Sequence, residues 1–115
     1  QVVSIDDESL MDAVTALSGS GPAYVFLLAE AMSKAGVDAG LPAELSRTLA
    51  EATVSGAGAL IAASNDPPSQ LRVNVTSKGG TTAAALAVLM ADDGVEPLLS
   101  RAIIAARDRS IELGS

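Results

Sequence analysis

The stretch PAYVFLLAEAMSKA, residues 22–35, decides the fold class of this 115-residue chain. It has the length of a helix, and apolar residues occupy nearly every side of the helix that it would form. Only Glu30, Ser33 and Lys34 interrupt the apolar surface. A helix without a polar face is buried on all sides, either inside a domain or between subunits. We therefore expect a helical protein in which other helices surround this segment.

Further helical patterns lie on both sides of residues 22–35. Gly36 is a plausible C-cap for that helix, and residues 69–75 fit either a short helix or an extended segment. No internal repeat and no interdomain linker follow residue 7. The fold class predicted is therefore all-α, a compact bundle of five or six helices. The other predicted helices are Glu8 to Leu17, Gly40-Leu41-Pro42 to Ser64, Ala83 to Met90, and Glu96 to Leu113.

Two of these helices carry patterns that predict how they pack. Small residues crowd the second half of the third helix, so another helix is expected to approach its backbone closely. The last helix is amphipathic, with Arg101, Arg107 and Arg109 expected outside and its apolar residues expected toward the core. The small residues are Ala52, Ser55, Gly56, Ala57, Gly58 and Ala59, and the apolar ones are Leu98, Leu99, Ile103, Ile104 and Ile111.

The composition excludes several classes of function. The chain has no Cys and no His, which excludes disulfides, thiolate nucleophiles, Ser-His-Asp catalysis and His-ligated metals. Its net charge of −7 speaks against nucleic acid or an anionic membrane as a partner. No signal peptide is visible, and no apolar run approaches the ~18 uninterrupted residues of a membrane span. We expect a soluble, cytoplasmic protein.

Two Ser/Gly-rich turns, Ser18–Pro22 and Ser77–Thr82, each lead into an apolar helix. A Gly pair lets successive backbone N–H groups point outward at a helix N-terminus, where the helix dipole also favours an anion such as a carboxylate or phosphate. Hydroxyls of Ser77, Thr81 and Thr82 add to the donors of the second turn. The alternative is that both turns are ordinary helix caps, which are common.

These motifs do not fit the sequence patterns of several other functional sites. Gly79-Gly80 lacks the Gly-Lys-Ser/Thr of a phosphate loop, and Gly19-Ser20-Gly21 lacks the preceding strand and third Gly of a dinucleotide fingerprint. Ser20 has no Gly-x-Ser-x-Gly context and no His. The acidic runs Asp6–Glu8 and Asp92–Asp93 suit helix ends better than a cation, so we expect no metal site.

The two turns, in this order, resemble the C-terminal domain of the pyrroline-5-carboxylate reductases, the last enzymes of proline biosynthesis. The resemblance spans about residues 6 to 113, nearly the whole chain. It rests on Asp12–Tyr24 (DAVTALSGSGPAY), Ala31, Gly36, Gly40-Leu41-Pro42, Leu71-Arg72, Val75-Thr76-Ser77, Gly79-Gly80-Thr81-Thr82, Leu86 and Leu89.

The resemblance implies a two-domain enzyme of which this chain is the second half. The first half of such an enzyme is a Rossmann domain that binds NADPH or NADH. Residues 1–5 are then expected to be the remnant of the linker from that domain, and residues 6–115 the helical dimerisation and substrate-binding domain. The helical halves of two subunits intertwine in a homodimer or a higher oligomer. The chain alone is expected to be inactive.

The resemblance also implies roles for individual residues. In the family, the turn matching Ser77, Gly79, Gly80, Thr81 and Thr82 holds the carboxylate of 1-pyrroline-5-carboxylate. Its donors are the backbone N–H groups that match Gly80, Thr81 and Thr82 and the hydroxyl that matches Ser77. Thr82 is the candidate catalytic residue, because its hydroxyl lies near the ring nitrogen. The first turn, Ser18, Gly19, Ser20, Gly21 and Pro22, is the supporting loop.

One residue departs from the family pattern, and two other functions stay open. Lys78 stands where the family usually has Pro, which loosens the turn but adds a cation beside the carboxylate site. A non-enzymatic helical oligomerisation module is the alternative from a different class. A related cyclic-imine or β-hydroxyacid reductase domain is the other.

Overall fold

The computed structural model describes residues 10–114, and these contain six α-helices, one π-helical segment and no strand. The all-α prediction is therefore confirmed. The predicted linker remnant, residues 1–5, and the start of the first predicted helix lie outside the described residues. The elements are α1 (Met11–Val14), the π segment (Thr15–Gly19), α2 (Gly21–Asp38), α3 (Ala43–Ala63), α4 (Pro68–Asn74), α5 (Thr81–Leu89) and α6 (Val95–Gly114).

The chain forms two compact units. One contains the residues up to Ala23 together with those from Leu86 onward, and the other is Tyr24–Ala85. The first unit holds α1, the π segment and α6, which pack against one another. The second holds most of α2, all of α3 and α4, and the start of α5.

The prediction that Gly36 caps α2 is wrong. The helix runs through Gly36 to Asp38, and the left-handed residue after it is Gly40, with φ +114°. Gly36 serves close packing instead. A Cβ built there would overlap the Oγ of Ser46 on α3. That Oγ donates a hydrogen bond of 2.6 Å to the carbonyl oxygen of Ser33, and Ser46 is only 2% exposed.

The boundary between the first helical segment and α2 falls at Ser20, within the predicted turn Ser18–Pro22. The backbone stays helical through Gly19 and becomes a π-helix over Thr15–Gly19, after which Ser20 has α-helical angles and α2 begins at Gly21. The N–H of Ser20 bonds the carbonyl of Thr15 over 2.9 Å, which is the five-residue spacing of a π-helix. This segment packs on α6, where Ala16 is completely buried.

The segment for which the sequence left two possibilities, residues 69–75, is helical up to Asn74. Pro68 occupies the first turn of α4, where a missing N–H costs nothing. The Thr76 hydroxyl donates to the carbonyl of Arg72 over 2.6 Å and closes the end of this helix. Helix α5 then starts two residues earlier than predicted, at Thr81.

The apolar residues of α6 are not in a core. Leu98, Leu99, Ile104 and Ile111 are 41–56% exposed, which corrects the prediction that they face inward, and only Ile103 of the predicted set is half-buried. Of the described residues, Ala16, Ser46 and Ala50 alone are fully buried. The helical pattern in the sequence is correct, but the described residues leave these side chains exposed.

Candidate functional site

The turn between α4 and α5 has a defined backbone shape. Gly79 has φ +73°, a conformation that costs other L-residues about 1–2 kcal/mol. The N–H of Gly80 donates to the carbonyl of Ser77 over 3.1 Å and closes the turn. A Cβ built on Gly80 would lie 3.3 Å from that carbonyl oxygen, so the turn also favours Gly at this position.

The first turn of α5 presents free amides next to three hydroxyls. The carbonyl of Gly80 accepts from the N–H of Ala84 over 3.2 Å, so the N–H groups of Thr81 and Thr82 precede the first helical hydrogen bond. These amides lie at the positive end of the helix dipole. Thr82 is half-buried, whereas Ser77 and Thr81 are exposed. This arrangement suits a small anion.

The structure divides the predicted amide donors into two kinds. Gly80 already uses its N–H inside the turn, so it could donate to a ligand only by sharing that hydrogen. The N–H groups of Thr81 and Thr82 are not used in such a hydrogen bond. The Oγ of Ser77 lies 3.5 Å from the place where a Cβ of Gly80 would be, on the side where Gly80 leaves space.

Lys78 differs from Lys34 and Arg47, two other cationic side chains of its unit. Lys34 pairs with Glu30 at 3.5 Å, and Arg47 pairs with Glu51 at 2.8 Å. The hydrogen bond and charge of Glu51 raise the pKa of Arg47 above its ordinary value. Lys78 is exposed and has no ion pair with a carboxylate among the described residues. Its charge is therefore available to a ligand at the turn.

The predicted supporting loop has a different geometry from the second turn. Ser18, Gly19 and Pro22 are exposed, whereas Ser20 and Gly21 are half-buried. The N–H of Ser20 is bonded within the π segment, and neither Gly19 nor Gly21 has a positive φ. These residues therefore do not form the open cluster of amides expected from the sequence. They lie in the first compact unit, whereas Ser77–Thr82 lie in the second.

A groove between α2 and α3 was missed by sequence reasoning. Its volume is about 450 Å³, and both ion pairs described above line it. The four-residue spacing of Glu30 and Lys34, and of Arg47 and Glu51, was the signal available in the sequence. Its lining residues are Phe26, Ala29, Glu30, Ser33, Lys34, Arg47 and Glu51.

Neither a metal-binding cluster nor a membrane-spanning helix is present among the described residues. Between residues 10 and 114, no three acidic side chains come close enough together to hold a metal ion. None of the helices in that range combines the length and the apolar character needed to cross a membrane.

Comparison with known proteins identifies the family. The family model for pyrroline-5-carboxylate reductase dimerisation matches residues 8–113. The chain belongs to this family. The identification made from the two Ser/Gly-rich motifs is thereby confirmed.

Individual pyrroline-5-carboxylate reductases are similar over nearly all of this chain. The Synechocystis enzyme is 50% identical over 107 residues, which are 93% of this chain and 40% of the relative. The Arabidopsis thaliana enzyme is 48% identical, over 93% of this chain and 38% of the relative. The chain thus spans about two-fifths of the length of the curated relatives that it matches.

Solved structures of pyrroline-5-carboxylate reductases share the fold. The Coxiella burnetii structure has a TM-score of 0.89 and 40% identity, and covers 95% of this chain and 40% of its own. The Plasmodium falciparum structure, with NADP bound, has a TM-score of 0.86 and 39% identity. It covers 95% of this chain and 41% of its own.

Proposed function

We propose that this chain is the C-terminal dimerisation and substrate-binding part of a pyrroline-5-carboxylate reductase. The reaction is reduction of the C=N bond of 1-pyrroline-5-carboxylate to give L-proline. The observation that carries the proposal is the anion-binding geometry of Ser77–Thr82 in a chain 47–50% identical to named reductases. This observation does not favour the alternative functions, a related cyclic-imine reductase or a β-hydroxyacid reductase.

The carboxylate of the substrate binds at the N-terminus of α5. The N–H groups of Thr81 and Thr82 donate to its oxygens, and the helix dipole adds to the attraction. Ser77 contributes its hydroxyl, and Gly80 contributes by sharing its N–H. Gly79 makes the turn possible through its positive φ. Each of these donors is therefore a neutral hydroxyl or a backbone N–H group.

Thr82 is the residue of this chain that acts on the reacting ring. Its hydroxyl is half-buried beside the amides that hold the carboxylate, and it binds or relays a proton at the ring nitrogen. NADPH or NADH supplies the hydride. The described residues contain neither a strand nor a dinucleotide loop, so the nucleotide is held mainly by the part of the relatives that this chain does not cover.

A second copy of the chain covers the apolar surface of α2. Val25, Phe26, Leu27 and Leu28 are consecutive and 45–71% exposed, so they point around most of the helix circumference. Apart from the adjacent residues and the backbone of α3 itself, no described atom lies within 4 Å of a Cβ built on Gly56 or Gly58, where the sequence predicts a close neighbour. Exposed apolar surface of this extent is typical of an obligate interface, in agreement with the dimerisation family.

The test uses the intact protein, including whatever precedes Gln1. Nucleotide oxidation is followed by absorbance with 1-pyrroline-5-carboxylate, and then with cyclic imines that lack the carboxylate. We expect turnover only when the carboxylate is present. Equal turnover of imines without a carboxylate would assign the protein to another imine reductase. No turnover of any imine, with an intact oligomer, would favour the non-enzymatic module.

A further inference from the structure

The N-terminus of α5 differs in its charges from those of α3 and α6. Helix α3 has Glu44 in its first turn and α6 has Glu96, at the end where the helix dipole favours a negative charge. Helix α5 has no acidic residue in its first turn, and the charged residue that precedes it is Lys78. The sequence has no other charged residue from Val73 to Ala91. The positive end of the α5 dipole is therefore not neutralised by a side chain of its own segment.

Lys78 occupies a position that suits proline better than lysine. Gly79 has φ +73°, Lys78 does not have a positive φ, and the N–H of Gly80 bonds the carbonyl of Ser77. These are the features of a type II β-turn with Lys78 as its second residue, where Pro is common. A lysine leaves this turn less rigid, and its charge is repelled by the positive end of the α5 dipole. No ion pair among the described residues offsets that repulsion, which points to a role for Lys78 with a bound anion.

We propose that Lys78 is a specificity-determining residue, which attracts anionic substrates to the turn Ser77–Thr82 through its charge. This rests on the proposed function, in which the turn binds the substrate carboxylate. The ammonium group is a compact, hydrated charge on a flexible stem, so it acts from many positions and not through one fixed hydrogen bond. The amides of Thr81 and Thr82 then hold the carboxylate. Lys78 thus acts on the capture of substrate and takes no part in the chemical step.

Ionic strength separates the attraction by Lys78 from the hydrogen bonds of the amides. Exposed charges are screened by salt, because the Debye length falls from about 30 Å at 0.01 M to about 3 Å at 1 M. Hydrogen bonds from backbone amides act only at contact and are much less sensitive to this screening. The contribution of Lys78 should therefore be present at low salt and disappear at high salt. Salt anions that compete for the turn affect every variant alike, so the ratio of KM values to wild type is compared.

The experiment uses the intact protein and three variants. Lys78→Gln removes the charge, and Lys78→Arg keeps it. Lys34→Gln is the matched control, because it changes the net charge equally in the same compact unit, at a side chain that already pairs with Glu30 at 3.5 Å. Both kcat and the KM for 1-pyrroline-5-carboxylate are measured at about 0.02 M and about 0.5 M NaCl, on either side of physiological ionic strength. The thermal midpoint is measured without substrate.

We expect Lys78→Gln to raise KM about 2- to 5-fold at low salt, the effect of one exposed charge, and by less than about 1.5-fold at high salt. The value of kcat should stay within about twofold, because an exposed charge of this kind is not used after capture. Lys78→Arg should keep the wild-type values, and Lys34→Gln should leave KM nearly unchanged at both salt concentrations. The thermal midpoint of Lys78→Gln should equal or exceed that of wild type, since a cation is removed from the positive end of a helix dipole.

Four results would overturn the proposal. The first is an unchanged KM of Lys78→Gln at low salt. The second is a rise in KM that persists at high salt, which indicates a fixed contact. The third is an equal rise in Lys34→Gln, which indicates an effect of net charge alone. The fourth is a lower thermal midpoint of Lys78→Gln, which indicates a structural role. Failure of the proposed function is recognised separately, because the wild-type protein would then not reduce 1-pyrroline-5-carboxylate at either salt concentration.

Discussion

The Oγ of Ser46 occupies the space that a side chain at Gly36 would need. Helices α2 and α3 approach so closely here that the Ser46 hydroxyl reaches the carbonyl of Ser33 at 2.6 Å. A methyl group at Gly36 would displace this hydroxyl from its acceptor. The effects of substituting Gly36 and Ser46 on stability should therefore depend on each other.

The first prediction concerns this pair. We expect Gly36→Ala to lower the free energy of unfolding by about 1–3 kcal/mol, because overpacking and a lost hydrogen bond outweigh the better helix propensity of Ala. Chemical denaturation at one fixed protein concentration measures it. In a Ser46→Ala background the same change should cost less, since the clashing oxygen is gone. An equal cost in both backgrounds would show that the clash is not the cause.

Thr82→Ala should reduce kcat/KM for 1-pyrroline-5-carboxylate by about 2- to 10-fold, the effect of losing one oriented hydrogen bond. Thr82→Ser keeps the hydroxyl and should retain most of the activity. Thr53→Ala is a suitable control, because the Thr53 hydroxyl bonds only the carbonyl of Leu49 within its own exposed helix. Steady-state kinetics of the intact protein test the prediction. Full activity of Thr82→Ala would remove Thr82 from the site.

Lys78→Pro should change KM by less than about tenfold. The lost charge is exposed, and such charges contribute roughly 0–1 kcal/mol. Pro reduces the freedom of the unfolded chain by ~0.4–1 kcal/mol if the backbone suits it. The backbone hydrogen bonds described for the turn do not use the Lys78 N–H. If KM rises far more than it does for Thr82→Ala, Lys78 is a direct ligand and the backbone site is wrong.

The 115-residue chain expressed alone should not oxidise NADPH in the presence of 1-pyrroline-5-carboxylate. The physical reason is that its described residues contain no strand, whereas a Rossmann dinucleotide-binding domain is built on a parallel sheet. Absorbance assays measure this, with the intact protein as the positive control. Nucleotide oxidation above background by the purified chain would contradict the prediction.

The chain should be a dimer at micromolar concentration, because α2 exposes apolar side chains around most of its circumference. Sedimentation measures the mass, and the thermal midpoint should rise with protein concentration because folding and association are linked. Phe26→Glu should weaken the dimer, whereas Arg101→Glu, an exposed change on α6, should not. A species of monomer mass with a concentration-independent midpoint would refute the dimer.

The sequence contained enough information for the helices and for the turn before α5, but not for two features that depend on distant residues. Gly36 is a reasonable helix end by its local pattern, but in the structure it packs against Ser46, which belongs to the next helix. The π segment Thr15–Gly19 has no local signal in the sequence, and it packs against α6, whose residues are about 90 positions away. Local patterns do not contain such contacts.

The same limit applies to the candidate site. The turn at Ser77–Thr82, with its Gly pair and its hydroxyls, could be predicted from the sequence because a turn and a helix N-terminus are local structures. The sequence could not predict that the Gly80 N–H makes a hydrogen bond inside the turn, because this bond depends on the backbone conformation of the turn. The apolar residues of α6 were assigned to a core because amphipathic patterns do not reveal whether the covering surface comes from the same chain.

The free amides at Thr81 and Thr82 have one more consequence. Backbone N–H groups do not titrate in water near neutral pH, and the chain has neither His nor Cys, the side chains whose ordinary pKa values lie closest to neutrality. A carboxylate bound by these amides is therefore held by donors whose protonation is the same at about pH 5 and about pH 9. These amides should therefore contribute no pH dependence to substrate affinity over that range.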